Sequence, residues 1–366
     1  MTGGAEWLST FYTNKRVLIT GHTGFKGSWL MLWLDTMGAR TCGIGLPPTS
    51  PLSGFTANRL DEKGADFIDI RDRGSLGAVF DRFKPEVVFH LAAQALVGEG
   101  YEDPRTTFET NVLGTVNVLE CVRSHESVSA AVIVTSDKCY ANVEQIWGYR
   151  EPDKLGGDDP YSASKGAAEI ATAAYIKSFF SADGTPTVAS ARAGNVVGGG
   201  DWARFRLVPD CVRSLRDNLP IPVRHPEFTR PWQFVLDSLS GYLILAARLA
   251  TEGKRFAGAW NFGPLAHDRR TVETAVQALI RRWGGNGVEI EISEATFHES
   301  GSLLLDSAKA REYLQWQTVV DFDVMMDLTA AWYRQQFECS DGDMRDFSCR
   351  QIVQFEQLLN RTIRLV

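Results

Sequence analysis

Short apolar runs rich in β-branched residues alternate with longer stretches of helical periodicity through the first half of the chain. The runs fall at 16–20 (RVLIT), 41–44 (TCGI), 66–70 (DFIDI), 87–91 (VVFHL), 131–135 (AVIVT) and 188–193 (VASARA). Each is apolar on both sides of its pleat, as a strand covered on two faces must be. Between them, 26–38, 75–83, 106–123 and 162–180 place apolar residues on one helical face, for example Phe108, Val112, Thr115 and Leu119. Strand and helix in regular alternation predict an α/β fold, a Rossmann-type doubly wound parallel sheet with crossover helices. The texture changes after Asn195, with GGGDWARF, then the proline-bearing NLPIPVRHPEFTRPW, then a helix-rich tail from Val320. A nucleotide-binding domain over 1–195 is therefore expected, followed by a smaller substrate-binding portion over 196–366, some of whose segments return to the sheet.

Composition narrows the function classes. A chain of 366 residues, 44% hydrophobic, can bury one large core or two joined ones. Its net charge of −7 argues against a nucleic-acid surface, which needs clustered Lys and Arg, but leaves room for a small phosphate-bearing ligand. Cys42, Cys121, Cys139, Cys211, Cys339 and Cys349 show no CxxC spacing and mostly sit in apolar segments. Reduced thiols suit that pattern better than disulfides or zinc, so no metal and a cytoplasmic home are expected. The N-terminal MTGGAEWLSTFYTNKR lacks a signal-peptide core, and no run of about 18 apolar residues predicts a membrane span.

Three motifs carry candidate chemistry. TGHTGFKG follows the first strand and opens a helix, with Gly21, Gly24 and Gly27 three residues apart. Such glycines tighten the turn and let backbone N–H groups and the helix N-terminus approach a dinucleotide pyrophosphate. The acidic residue that would grip an adenosine ribose is missing from 41–46, which weakens the hold on NAD; NADP stays formally open, although Arg40 precedes the strand. Asp69, at the end of the third run, could instead reach an adenine amino group or be a solvated loop acid.

The second motif is the abrupt end of AVIVTSDK in Thr135, Ser136, Asp137 and Lys138. Ligands sit beyond the carboxyl ends of parallel strands, so this quartet is either substrate chemistry or a strand cap. The third is DPYSASKG, where Pro160 can open a helix that sets Tyr161 and Lys165 on one face. An adjacent ammonium favours the phenolate, and proton transfer from a substrate alcohol becomes feasible.

Together TGHTGFKG, HLAAQ (90–94), ETNVLGT (109–115), YSASK and ARAGNVVGGGDW (191–202) resemble the extended short-chain dehydrogenase/reductase superfamily and its nucleotide-sugar 4,6-dehydratases. The lysine of GHTGFKGSW, TSDK, WGYREPDKLGGDDPYSASKG, RPWQ (230–233) and FHES (297–300) are most similar to the branch acting on CDP-glucose. The likeness runs from about Arg16 to Trp316. It implies NAD as a cofactor restored within each turnover, with Gly21, His22, Thr23, Gly24, Phe25, Lys26, Gly27, Asp69, Ile70, Leu91, Ala92, Ala93, Thr135, Tyr161 and Lys165 around it. It implies that Tyr161, supported by Lys165, takes the proton of the sugar 4-hydroxyl as C4 is oxidised. Asp137 then protonates the departing 6-hydroxyl, the C5 proton is lost, and the stored hydride returns to C6. Ser136 would bond the 4-oxygen. Lys138 stands where the dTDP-glucose relatives carry Glu, so the C5 proton goes to an uncharged Lys138 or to a water, unless Lys138 only holds Asp137.

The nucleotide-diphosphate is expected at Gln94, Asn195, Arg206, Arg230 and His298, the guanidinium fork matching a diphosphate. GEGY at 98–101 departs from the RRSY of the family, and DWARFR replaces a more acidic string, both bearing on substrate identity. A homodimer through the helices at 106–123 and 162–180 is implied. Two other readings use the same motifs. A nucleotide-sugar 4-epimerase shares the loop, Tyr161 and Lys165 but needs no acid at C6. A non-catalytic nucleotide sensor would have lost the tyrosine, the lysine or the acid.

Overall fold

A computed structural model describes every residue except 1, 64–65, 285–287, 294–300, 339–342 and 366. Its centre is a seven-stranded sheet formed by β1 (Arg16–Thr20), β2 (Arg40–Gly45), β3 (Asp66–Phe67), β4 (Val87–His90), β5 (Ala130–Val134), β6 (Thr187–Arg192) and β7 (Gly258–Asn261). The spatial order is β3-β2-β1-β4-β5-β6-β7 and every pairing is parallel. The order reverses between β1 and β4, where a crevice opens at the carboxyl ends. Register sets Thr20 against both Ile44 and His90.

Alternate residues of each strand feed two separate cores. Val17, Ile19, Phe89, Val132 and Ala191 face one, and Leu18, Val88, Ala131, Ile133 and Val188 the other. Helix α1 (Phe25–Thr36) is buried nearly all round, from Gly27 through Leu34. A helix of that kind needs cover on every side, and it has it. Trp29 Nε1 donates to Gly199 O at 2.8 Å, and Trp33 Nε1 to Glu356 Oε1 at 2.8 Å on the C-terminal helix Met344–Thr362. The helix Val235–Glu252 packs on the same side. On the opposite face lie α2 (Arg73–Phe83), α3 (Thr115–Ser124) and α4 (Pro160–Phe179). Asp159 caps α4 by accepting from Ser162 N at 2.9 Å, and Pro160 occupies its first turn.

Two elements differ from expectation. The third run shrinks to Asp66–Phe67, because Asp69 O takes Asp72 N at 2.9 Å and turns the chain out of the ladder. The helix over 106–123 is three stretches, Pro104–Phe108, the π-helical Glu109–Gly114 and Thr115–Ser124. A π-turn of this kind is frequent at functional sites. The seventh strand, residues 258–261 beside β6, is a segment from beyond Asn195 that returns to the sheet as expected.

Gly199 shows how tightly the C-terminal helices are fitted: a methyl on it would lie 2.1 Å from Cγ of the buried Trp332. Gly199→Ala should cost about 3 kcal/mol in urea unfolding through overpacking; an unchanged midpoint would mean that Trp332 repacks freely.

Candidate active site

Because all seven strands run the same way, the loops after β1, β4, β5 and β6 open on one rim. Gly21 follows β1 with φ 75°, a conformation that suits glycine, and a methyl there would sit 2.6 Å from Ala92 N. At Gly27 a methyl would lie 2.1 Å from Gly21 O, so helix and strand meet only because neither carries a side chain. Gly24 caps α1 without a side-chain bond, and no acid occupies the first turn. Amide groups and helix dipole there are left to an anion, and the cradle fits a dinucleotide pyrophosphate.

The other residues expected around a cofactor fare differently. The ring of His22 turns inward, buried under Gly43 and edge-on to Phe55 at 5.1 Å, beside the backbone of Ile44. Burial lowers its pKa. Thr23 Oγ1 donates to Leu46 O at 2.8 Å, and Phe25 packs on the core. Asp69 is clamped by Arg71, whose Nε and Nη2 reach it at 2.9 and 2.6 Å, and its pKa falls through that bond. Ile70 is buried, with its carbonyl held by Asn117 at 3.0 Å.

A hydrogen-bond chain fixes the loop of Leu91, Ala92 and Ala93. Leu91 N and Ala92 N donate to Thr20 O and Oγ1 at 3.0 and 3.2 Å. Thr115 Oγ1 donates to Asn111 O at 2.7 Å, so it receives from His90 Nε2 at 3.0 Å, and His90 Nδ1 accepts from Thr20 Oγ1 at 2.7 Å. Burial, with Lys165 nearby, lowers the His90 pKa to about 3 and keeps the ring neutral. From the π-turn, Asn111 Nδ2 donates to Ser164 Oγ at 2.8 Å, and Ser164 Oγ to Tyr161 O at 2.7 Å. Gln94, expected on the substrate, is spent inside this loop on Thr107 Oγ1, Leu96 O and Leu96 N.

The chemistry gathers where β5 ends. Ser136 Oγ donates to Asp137 Oδ1 at 2.8 Å, which also accepts Lys138 N at 2.9 Å. Asp137 is 5% exposed, Tyr161 7% and Lys165 5%, so water reaches them only through the crevice. Burial raises the Tyr161 pKa to about 12, a hydrogen bond with Ser136 lowers it and the charge of Asp137 raises it, so the three side chains are neighbours. Lys165 Nζ stands 5.9 Å from the centroid of the Tyr161 ring, and burial lowers its pKa to about 8. Gly194, after β6, has no room for a side chain, since a methyl would fall 1.9 Å from Asp137 Oδ2. Asn195, with φ 52°, brings Nδ2 to 3.5 Å from the same oxygen.

Lys26 joins this group. Its Nζ donates to Tyr242 OH at 3.3 Å, and its pKa drops to about 7 through burial and then the charges of Lys165 and Arg206, with Asp137 opposing. Arg206 pairs with Asp201 at 2.8 Å and acts electrostatically on Tyr161 and Lys26. Arg230 sits on the ribbon Thr229–Arg230 with Arg270–Thr271, bonding Thr229 O and Gly301 O at 3.1 and 3.0 Å. His298 lies outside the described residues. Sequence reasoning missed Gly194, whose need appears only in three dimensions.

A family model described as GDP-mannose 4,6 dehydratase matches residues 18–329. The chain belongs to that family. It is 44% identical to the CDP-glucose 4,6-dehydratase of Salmonella typhimurium over 92% of this chain and 97% of that protein. Among solved structures, a UDP-glucose 4-epimerase of Thermus thermophilus in complex with NAD superposes with TM-score 0.74 at 25% identity, covering 87% of this chain and 99% of the other. The dTDP-glucose 4,6-dehydratase of Bacillus anthracis in complex with NAD gives 0.74 at 21% identity, covering 88% and 98%, a likeness of fold. As a member of this dehydratase family, the chain brings a phenol, an ammonium, a hydroxyl and a carboxyl to one buried crevice beside a pyrophosphate cradle. That set can move protons on and off a sugar without bulk water.

The two buried lysines carry a pH signature. Both pKa values lie below the ordinary 10.5, so between about 7 and 10.5 the folded protein releases protons that the unfolded chain keeps, and stability rises with pH across that window. Lys26→Met should therefore raise the urea midpoint of the protein without added cofactor at about pH 6 and by much less at about pH 10. An equal gain at both would contradict the burial cost assigned to this ammonium.

Proposed function

We propose that this protein catalyses the NAD-dependent 4,6-dehydration of a nucleotide-diphospho-hexose, CDP-glucose in particular, giving the 4-keto-6-deoxy sugar and water. The observation that carries the reading is the Asp137 carboxyl held beside Tyr161 and Ser136, together with 44% identity to a CDP-glucose 4,6-dehydratase over 92% of this chain. A 4-epimerase has no use for an acid at C6.

The backbone of Gly21, Gly24 and Gly27 would hold the pyrophosphate of NAD, which would supply a hydride acceptor for C4 and the hydride for C6. Tyr161 accepts the proton of the 4-hydroxyl, and the Lys165 ammonium stabilises the phenolate that makes this possible. Ser136 donates to the 4-oxygen as it becomes a ketone. The ketone acidifies the C5 proton, which leaves to Lys138 or to a water held by it, while Asp137 gives its proton to the 6-hydroxyl and releases water. The resulting 4-keto-5,6-ene would accept hydride at C6 and a proton at C5, and the proton that Tyr161 took from the 4-hydroxyl is released as Asp137 regains one, so the atoms balance. Arg206 and Arg230 provide guanidinium groups for the diphosphate, and Asn195 supports Asp137 as well as the sugar.

Residues 1–195 form the NAD-binding half and 196–366 the sugar-nucleotide half, apart from β7 and its preceding helix. Cys42, Cys121, Cys139 and Cys211 are buried thiols, as suits a reducing cytoplasm. The chain pairs with a second copy through the helices over 104–124 and 160–179, where Phe108, Leu113 and Ile170 are 39%, 57% and 60% exposed.

Incubation with CDP-, dTDP-, UDP- and GDP-glucose plus NAD should yield a 4-keto-6-deoxy product, fastest from CDP-glucose; a 4-epimer would favour epimerisation, and no reaction with any would favour a sensor. Tyr161→Phe should cut kcat about 1,000-fold while sparing sugar binding, and Asp137→Asn should slow water loss more than C4 oxidation. Equal slowing of both steps by Asp137→Asn would remove the acid from its role. For the pairing, Leu113→Asp with Ile170→Asp should give monomers in sedimentation; an intact dimer would place the interface elsewhere.

A further inference from the structure

Tyr161, Lys165 and Glu169 stand at i, i+4 and i+8 on one face of α4, and the third goes beneath the floor of the crevice, 2% exposed. Its carboxylate gathers three side-chain donors from two strands. Thr135 Oγ1, at the end of β5, bonds Oε1; Ser190 Oγ and Arg192 Nη2, both of β6, bond Oε2 at 2.8 and 2.6 Å. Thr135 immediately precedes Ser136 and Asp137. Arg192 lies two residues before Gly194 and three before Asn195, the two positions that fix the far oxygen of Asp137.

We infer that Glu169 is a positioning residue for the reaction: it ties the helix bearing Tyr161 and Lys165 to the strand that ends at Asp137 and to the strand that leads to Gly194 and Asn195, and its charge favours the Lys165 ammonium. Arg192 extends the tie, with Nη1 reaching Tyr140 OH at 2.6 Å and Glu151 O at 3.1 Å, and Tyr140 OH bonding Asn261 Oδ1 of β7 at 2.8 Å. A carboxylate with charge-assisted donors in a dry interior has little freedom to shift. A buried pair of this kind is weak grounds for stability, since apolar residues of similar volume often do as well. Its value lies in the geometry it imposes on three elements at once.

The groups that act on Lys165 or feel it are few. Cys139, after β5, is a buried thiol whose pKa is raised well above its ordinary value, hence uncharged. His90 of β4 is neutral, and Lys26 of α1 is a second base whose own pKa Lys165 lowers. Tyr161 shares its helix and Arg192 approaches from β6. Glu169 is the carboxylate that acts on Lys165 directly, working against the burial that drives it toward a neutral amine, while Asp137 acts on Tyr161 and Lys26.

This inference rests on Tyr161 and Lys165 being the proton-handling pair, active when the two together have given up one proton. Losing a nearby negative charge lowers both macroscopic pKa values of such a pair, so the activity window moves to lower pH. The test is single-turnover reduction of NAD by CDP-glucose, followed across pH, a step that dehydration and 4-epimerisation share. Glu169→Gln, which keeps the shape, should move the optimum down by about 1 pH unit and reduce the rate at that optimum about tenfold. Glu169→Asp, which keeps the charge, should hold the optimum where the wild type has it. An unmoved optimum in a folded Glu169→Gln protein overturns the inference.

If circular dichroism shows that Glu169→Gln does not fold, Thr135→Val decides. It leaves the ion pair in place and severs only the tie to β5, so the rate should fall about tenfold with KM for the sugar unchanged, and a wild-type rate overturns the positioning role. A wild type that reduces no NAD would overturn the proposed reaction along with this inference, whereas an active wild type with unaffected variants overturns the inference alone.

Discussion

Parallel strands deliver their carboxyl ends, and the loops that follow them, to one side of the sheet. In this protein that constraint puts Gly21, Ala92, Asp137 and Asn195 on a common rim although they are scattered over 175 residues of sequence. The order reversal between β1 and β4 opens the crevice they border. Helix α4 then crosses the rim with Tyr161 and Lys165 on the face turned toward it. None of these groups is placed by its neighbours in sequence alone; each is placed by the register of a strand and the packing of a helix.

Electrostatics follow from that burial. Two lysines, a tyrosine and an aspartate crowd a space where water is scarce, and desolvation is the leading cause of the shifts in Lys26, Tyr161 and Lys165. The protein holds this cluster with neutral networks around it: His90 is kept unprotonated between two threonines, and the π-turn frees Asn111 to bridge Gln94 and Ser164. The adenosine end is handled differently. Leu46, 58% exposed, follows β2 where an acid would grip a ribose, and Asp69 is already committed to Arg71.

Much of this was legible in the sequence. The alternation of apolar runs and helical stretches located six of the seven strands, because most residues of strands covered on both faces are apolar. TGHTGFKG and YSASK were readable because loop and helix chemistry there is local. What escaped was set by distant contacts. β7 lies far along the chain and is paired only through β6. His22 looked like a ligand residue, but the absence of a side chain at Gly43 opens a pocket for its ring. Gln94 kept its motif while serving its own loop. Glu169 sat in plain view four residues past Lys165, yet only the strands beneath it show what its carboxylate does.

The central claim is that a phenolate and a neighbouring carboxylic acid act on one hexose whose electrons leave at one carbon and return at another. The most direct measurement is the fate of deuterium placed at C4 of CDP-glucose, read by nuclear magnetic resonance of the product. One deuterium should appear at C6, with none at C4 and none released into free reduced cofactor. Deuterium retained at C4, or lost to the cofactor pool, would contradict it.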